Sequence, residues 1–141
     1  MPIVGFNFDK ILVERKDVIK RPLNIHTDVS IKDVTEEKIP LGKTEELLKF
    51  NFEFNVKYGD TGDVVFNGHV LYLEDPKKTA EIMKEWKKSK NVPTDLMSEL
   101  INNILQRCNI KALTMAQDVN LPPHLKLPRL TQQKSPKDYI G

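Results

Sequence analysis

The chain has 141 residues, 39% of them hydrophobic, which fits one domain built around one core. Its 22 basic and 20 acidic residues leave a formal charge of +2, so no whole-chain field draws in nucleic acid or anionic lipid. A single cysteine, Cys108, excludes an internal disulfide framework, and no apolar run approaches the roughly 20 residues of a membrane helix; a reducing, cytoplasmic setting without membrane insertion is expected.

Ile3 to Lys16 is rich in Phe, Val and Ile, but its apolar phase slips between Phe6/Phe8 and Ile11/Val13. A long first strand with a β-bulge accounts for the slip. Leu23, Ile25, Thr27, Val29 and Ile31 alternate with polar residues and predict a second strand, expected to pair with the start of the chain. A polar connection, Thr35 to Glu46, follows and is interrupted by Ile39-Pro40-Leu41. The clearest strand runs from Leu48 through Phe50, Phe52, Phe54 and Val56 to Tyr58, with Lys, Asn and Glu between them. That period of two lines three Phe rings along one covered sheet face. Gly59-Asp60-Thr61-Gly62 supplies a tight hairpin, and the chain returns through Val64, Phe66, Gly68, Val70 and Tyr72.

At Asp75-Pro76 the period changes, because an Asp can cap a helix and Pro suits its first position. Thr79, Ile82, Met83 and Trp86 then form one narrow stripe on a short helix rich in Lys. After a break at Asn91-Val92-Pro93, Thr94 is placed to cap a long helix whose stripe runs Met97, Leu100, Ile101, Ile104, Leu105 and Cys108, and on towards Met115 and Ala116. Leu121-Pro122-Pro123 stops it. The expected fold is α+β: a four-stranded antiparallel sheet with a short and a long C-terminal helix packed on one face, a single domain over residues 1–130 and a flexible polar tail over residues 131–141.

No constellation points to catalysis. Gly42-Lys43-Thr44 lacks the upstream glycine and the strand-to-helix setting of a phosphate loop, so no nucleotide cofactor is expected. His26, His69 and His124 have no ligand partner at metal-site spacing, and Cys108 reads as a small buried hydrophobe. Lys84, Lys87 and Lys88, among other lysines around the short helix, form a local basic patch that suits RNA phosphate or an acidic partner. The plainer reading is a solvated helix face, since only Trp86, on the other side, offers a ring beside them. Apolar groups outside regular elements are more informative. Ile39, Leu41, Leu121, Leu125, Leu127 and Leu130 are hard to bury together, and either form a surface for polypeptide partners or pack over one sheet end.

This order of elements, with its closing Pro-rich apolar segment, resembles the SecB family of export chaperones. Arg107-Cys108 followed by Leu121-Pro122 and Leu125-x-Leu127-Pro128 is similar to that family's basic residue in the long helix and its phrase Phe-Pro-x-Leu-x-Leu-x-Pro, with one Pro inserted and one residue lost. The likeness spans roughly residues 3 to 130. It implies a dimer or tetramer that holds unfolded or non-native polypeptides without ATP, in protein export or for dedicated partners such as toxin–antitoxin pairs. The groove it implies is lined by Ile39, Leu41, Trp86, Leu121, Leu125 and Leu127. The tail departs from the family's acidic, metal-binding end, which docks on a translocation motor: it carries Lys134 and Lys137, no cysteine and no net acidity.

Overall fold

A computed structural model describes residues 3–37 and 46–128. Strands β1 (Ile3–Arg15), β2 (Ile25–Glu37), β3 (Glu46–Tyr58) and β4 (Gly62–Glu74) form one antiparallel sheet in the order β1-β4-β3-β2. Helices α1 (Pro76–Ser89) and α2 (Thr94–Asp118) cover one face of it. The α+β architecture read from the sequence is the one observed.

The period-two pattern of β3 translates directly into burial. Leu48, Phe50, Phe52, Phe54, Val56 and Tyr58 are at most 1% exposed, and each such side chain contributes about 1.5–3 kcal/mol by leaving water. Their partners across β4, among them Val64, Phe66, Val70 and Tyr72, are equally buried. Rings of three strands meet around Gly68. Phe6 stacks on Phe52 at 5.2 Å between centroids, and Phe8 meets Phe66 edge-on at 5.4 Å. A Cβ on Gly68 would lie 2.2 Å from the Asn7 carbonyl oxygen and 2.7 Å from the Phe52 ring, so the aromatic cluster closes only over a residue without a side chain.

The expected bulge in β1 is present between Phe8 and Lys10. It turns Asp9 to the outer face, where His69 Nδ1 of β4 donates to its carboxylate at 2.9 Å. The expected pairing of the second strand with the start of the chain is not observed. β2 pairs with β3, β1 pairs with β4, and the two occupy opposite edges. Alternation specifies which face a strand buries but not which strand lies beside it, and here the connection 16–24 crosses the β3–β4 hairpin end, where Lys16 and Asp17 donate their amides to the Thr61 carbonyl. β2 also runs five residues further than its alternation suggests. A register shift between Ile31 and Asp33 resets the phase so that Val34 pairs with Phe50 and is buried.

Asp75 caps α1 as expected, its carboxylate accepting from the Lys78 amide at 2.9 Å, with Pro76 at the first position. Thr79, Ile82 and Trp86 are its buried residues. Thr94 does not cap α2. The first carbonyl to accept in the helix is that of Pro93, from Met97 N–H at 2.8 Å, which makes Thr94 the first helical residue. The buried row of α2 is Leu96, Leu100, Ile104, Cys108, Ala112 and Ala116, with Met97, Leu105 and Met115 beside it. A four-residue spacing follows one inclined ridge of the helix, which lets α2 cross the twisted sheet and touch both β4 and β2. Arg107 reaches as far as β1, with its guanidinium 5.1 Å from the Phe6 ring centre.

α2 ends before the prolines. Asn120 adopts a left-handed conformation (φ 60°), its amide bonds the Gln117 carbonyl, and the Leu121 amide bonds the Ala116 carbonyl, so these two carbonyls of the last turn are satisfied while Leu121 folds into the core. Arg15 Nη1 donates to the Asn120 carbonyl at 3.0 Å and clamps this corner to β1.

Candidate functional site

α2 starts beside Tyr72, at the last turns of β4, and ends beside Gly62, at its beginning. Where α1 and the start of α2 diverge they leave an open groove of about 980 Å³. Its floor is apolar: Tyr72, Ile82, Val92 and Leu96 line it, each less than 9% exposed, with half-buried Met97 beside them.

The rim is acidic. Glu74, Glu81, Glu85, Asp95 and Glu99 surround the floor against one basic residue, Lys78. Glu81 and Glu85 are four residues apart on α1, and Asp95 and Glu99 are four apart on α2, so each helix aims a like-charged pair at the same space. Such pairs weaken an isolated helix by about 0.2–0.5 kcal/mol each. Among the described residues, none of Glu81, Asp95 and Glu99 has an ion-pair partner. Tyr72 registers the field: burial first, then the nearby Glu74 and Glu99 carboxylates, push its hydroxyl up to about 12. Its OH donates to Glu74 Oε2 at 3.2 Å. The groove therefore joins an apolar floor to a negative rim, suited to a chain segment carrying apolar and basic side chains.

A second apolar surface lies at the far end of α2. A 25-residue helix rises about 37 Å, which separates the two. Here Leu125 and Leu127 are 43% and 53% exposed, and Leu127 shares a shallow pocket with Leu113, Gln117 and Pro123. Pro122 adjoins Ile19 and Leu23 of the β1–β2 connection. Segment 121–128 is held by Tyr58, whose hydroxyl donates to the Pro122 carbonyl, and by His124 Nε2, which donates to Asn109 Oδ1 at 2.8 Å.

The residues singled out from the sequence thus fall in different places. Ile39 and Leu41 lie outside the described residues; the strand ends that flank them, Glu37 and Glu46, stand at the sheet end that carries Glu74. Trp86 is 5% exposed and belongs to the core beside the groove, with Lys90 Nζ 5.3 Å from its ring centre. Leu121 is likewise a core residue, whereas Leu125 and Leu127 are surface residues at the opposite end. Lys84, Lys87 and Lys88 are exposed on α1, and because Trp86 is turned inward they offer phosphate contacts without a ring for bases to stack on. The acidic rim was missed. Its signal in the sequence is the repeated four-residue spacing of carboxylates on two successive helices, Glu81/Glu85 and Asp95/Glu99.

Cys108 is fully buried and its thiol is pushed up to about 12 by burial, a packing role rather than a reactive one. Among the described residues no group of three or more His, Cys, Asp or Glu side chains could hold a metal ion, and no helix is long and apolar enough to cross a membrane.

No family model matches the chain, and no curated protein matches it in sequence. A solved structure does match: the Mycobacterium tuberculosis SecB-like chaperone Rv1957, in complex with a ChAD peptide from the HigA1 antitoxin (Rv1956). It superimposes with a TM-score of 0.50 at 14% identity, over 93% of this chain and 91% of that one. The fold is SecB-like. At that identity the likeness extends to the four-stranded sheet and its two covering helices, and the side chains that line the grooves are this chain's own.

Proposed function

We propose that this protein is an ATP-independent chaperone-like binder that holds non-native polypeptide segments, working as a cytoplasmic homo-oligomer. The observation that carries the reading is the α1–α2 groove, with its buried apolar floor and, among the described residues, five carboxylates against one lysine around it. A holder of this kind needs no catalytic residue. It competes with a client's own collapse by covering apolar side chains, and each contact is weak enough to suit many sequences. The exposed apolar surface at Leu125 and Leu127 offers a second foothold on the same molecule. A peptide-bound neighbour of the same fold supports the general role.

Oligomerisation fits the sheet edges. β1 presents Val4 and Ile11, 51% and 43% exposed, along one edge and β2 forms the other, so among the described residues each carries backbone donors and acceptors open to a second copy or to an extended client.

The test is suppression of aggregation of an unfolded model protein without nucleotide, with particle size measured by light scattering on the same sample. Suppression at near-stoichiometric ratios by an oligomer is expected, retained when Lys84, Lys87 and Lys88 are changed to Glu. A folded protein that leaves aggregation untouched overturns the general holding role, and loss of activity in the Lys variant transfers it to the basic face.

A further inference from the structure

The acidic groove has a candidate occupant within the same chain. Residues 129–141, which lie outside the described residues, read Arg-Leu-Thr-Gln-Gln-Lys-Ser-Pro-Lys-Asp-Tyr-Ile-Gly. Arg129, Lys134 and Lys137 face one acid, Asp138, and Leu130, Tyr139 and Ile140 supply apolar side chains. That composition is the complement of the groove, where five carboxylates surround an apolar floor.

The geometry allows the visit. Leu127 packs beside Leu113 of α2, sixteen residues from Met97 at the groove, a distance of about 24 Å along the helix. Tyr139 follows Leu127 by twelve residues, which extend to about 40 Å. The chain can therefore run back along α2 and place Tyr139 and Ile140 on the floor with slack to spare.

We propose that residues 129–141 occupy the α1–α2 groove of their own subunit as a competing pseudo-client, with Lys134 and Lys137 against the acidic rim. This rests on the groove being the polypeptide site. Tethering makes even a weak ligand effective: a tail that binds as a free peptide with a Kd of about 0.1 mM faces an effective concentration of about 1 mM, and lowers the apparent affinity for outside segments about tenfold. Clients must then be long or apolar enough to displace it, which keeps the groove from capturing short native loops.

The experiment compares the full chain with its Arg129→Glu/Lys134→Glu/Lys137→Glu variant. A short fluorescein-labelled peptide of Lys, Leu and Phe is titrated into each at low salt, and the backbone amide shifts of Glu81, Val92 and Ser98 are recorded by NMR without peptide. The expected result is roughly tenfold tighter peptide binding by the variant, independent of protein concentration, with shifted groove amides that return when a synthetic 129–141 peptide is added. Equal affinities with unchanged amides overturn the tail's role and leave the groove's function standing. A difference that vanishes on dilution overturns the same-subunit arrangement in favour of a neighbouring copy's tail. No peptide binding by either protein, with the fold intact, removes the groove's function and this proposal with it.

Discussion

The hydroxyl of Tyr58 donates to the carbonyl of Pro122 at 2.8 Å, joining the last residue of β3 to the segment that leaves α2. Burial pushes that hydroxyl up to about 12, so it stays a donor across the physiological range. Tyr58→Phe keeps the ring and removes the bond. The expected loss is about 0.5–1.5 kcal/mol in urea unfolding, with faster amide exchange confined to residues 121–128. An unchanged exchange pattern there would show that Leu121 and the His124–Asn109 bond hold the segment without Tyr58.

Gly68 sits beneath the Phe6, Phe8, Phe52 and Phe66 cluster with no room for a methyl group. Gly68→Ala is expected to destabilise the protein by about 1–3 kcal/mol, because backbone of β1 and the Phe52 ring must both give way. The midpoint of denaturant unfolding reads the loss. A neutral midpoint would mean that β1 shifts freely at its edge.

The like-charged pairs Glu81/Glu85 and Asp95/Glu99 set stability against binding. Reversing one member of each, Glu81→Lys with Glu99→Lys, is expected to leave stability unchanged or raise it by a few tenths of a kcal/mol. The same change should weaken binding of a basic, apolar peptide at low salt, with the difference shrinking at about 0.5 M salt as screening shortens the field. Fluorescence titration at both salt levels checks it, and equal affinities at low salt would remove the rim from recognition.

His124 lies edge-on to Phe54, 6.2 Å between ring centres, and its Nδ1 is buried without a partner among the described residues. Burial holds its pKa below the ordinary 6.5. The unfolded chain therefore binds more protons than the folded one between the two values. The neutral ring's contribution is complete above pH 6.5 and is lost as pH falls towards the folded value. Unfolding midpoints measured between about pH 7 and 5 should fall more steeply for the natural chain than for His124→Gln. Parallel slopes would assign the dependence to other groups.

Cys108 should resist alkylation in the native protein at about pH 8 and react fully in denaturant, since both burial and its raised pKa withhold the thiolate. Reaction under native conditions at more than the rate of global unfolding would reveal local opening of α2 against the sheet.

Amino-acid order by itself determined what each segment is and which way it faces. Alternation in Leu48–Tyr58 placed the Phe rings inward, the phase slip near Phe8 marked the bulge, and Asp75-Pro76 marked the start of α1, because these are short-range consequences of side-chain period and backbone sterics. Neighbour relations are different in kind. That β1 and β2 sit at opposite edges depends on how a nine-residue connection crosses a hairpin, and that Leu125 and Trp86 lie at different ends of the molecule depends on α2 spanning the sheet. The acidic groove exists only because α1 and the start of α2 line the same space and bring two pairs of carboxylates, ten or more residues apart in sequence, around Tyr72. Local pattern carries no record of that approach; packing of the two helices on one twisted sheet decides it.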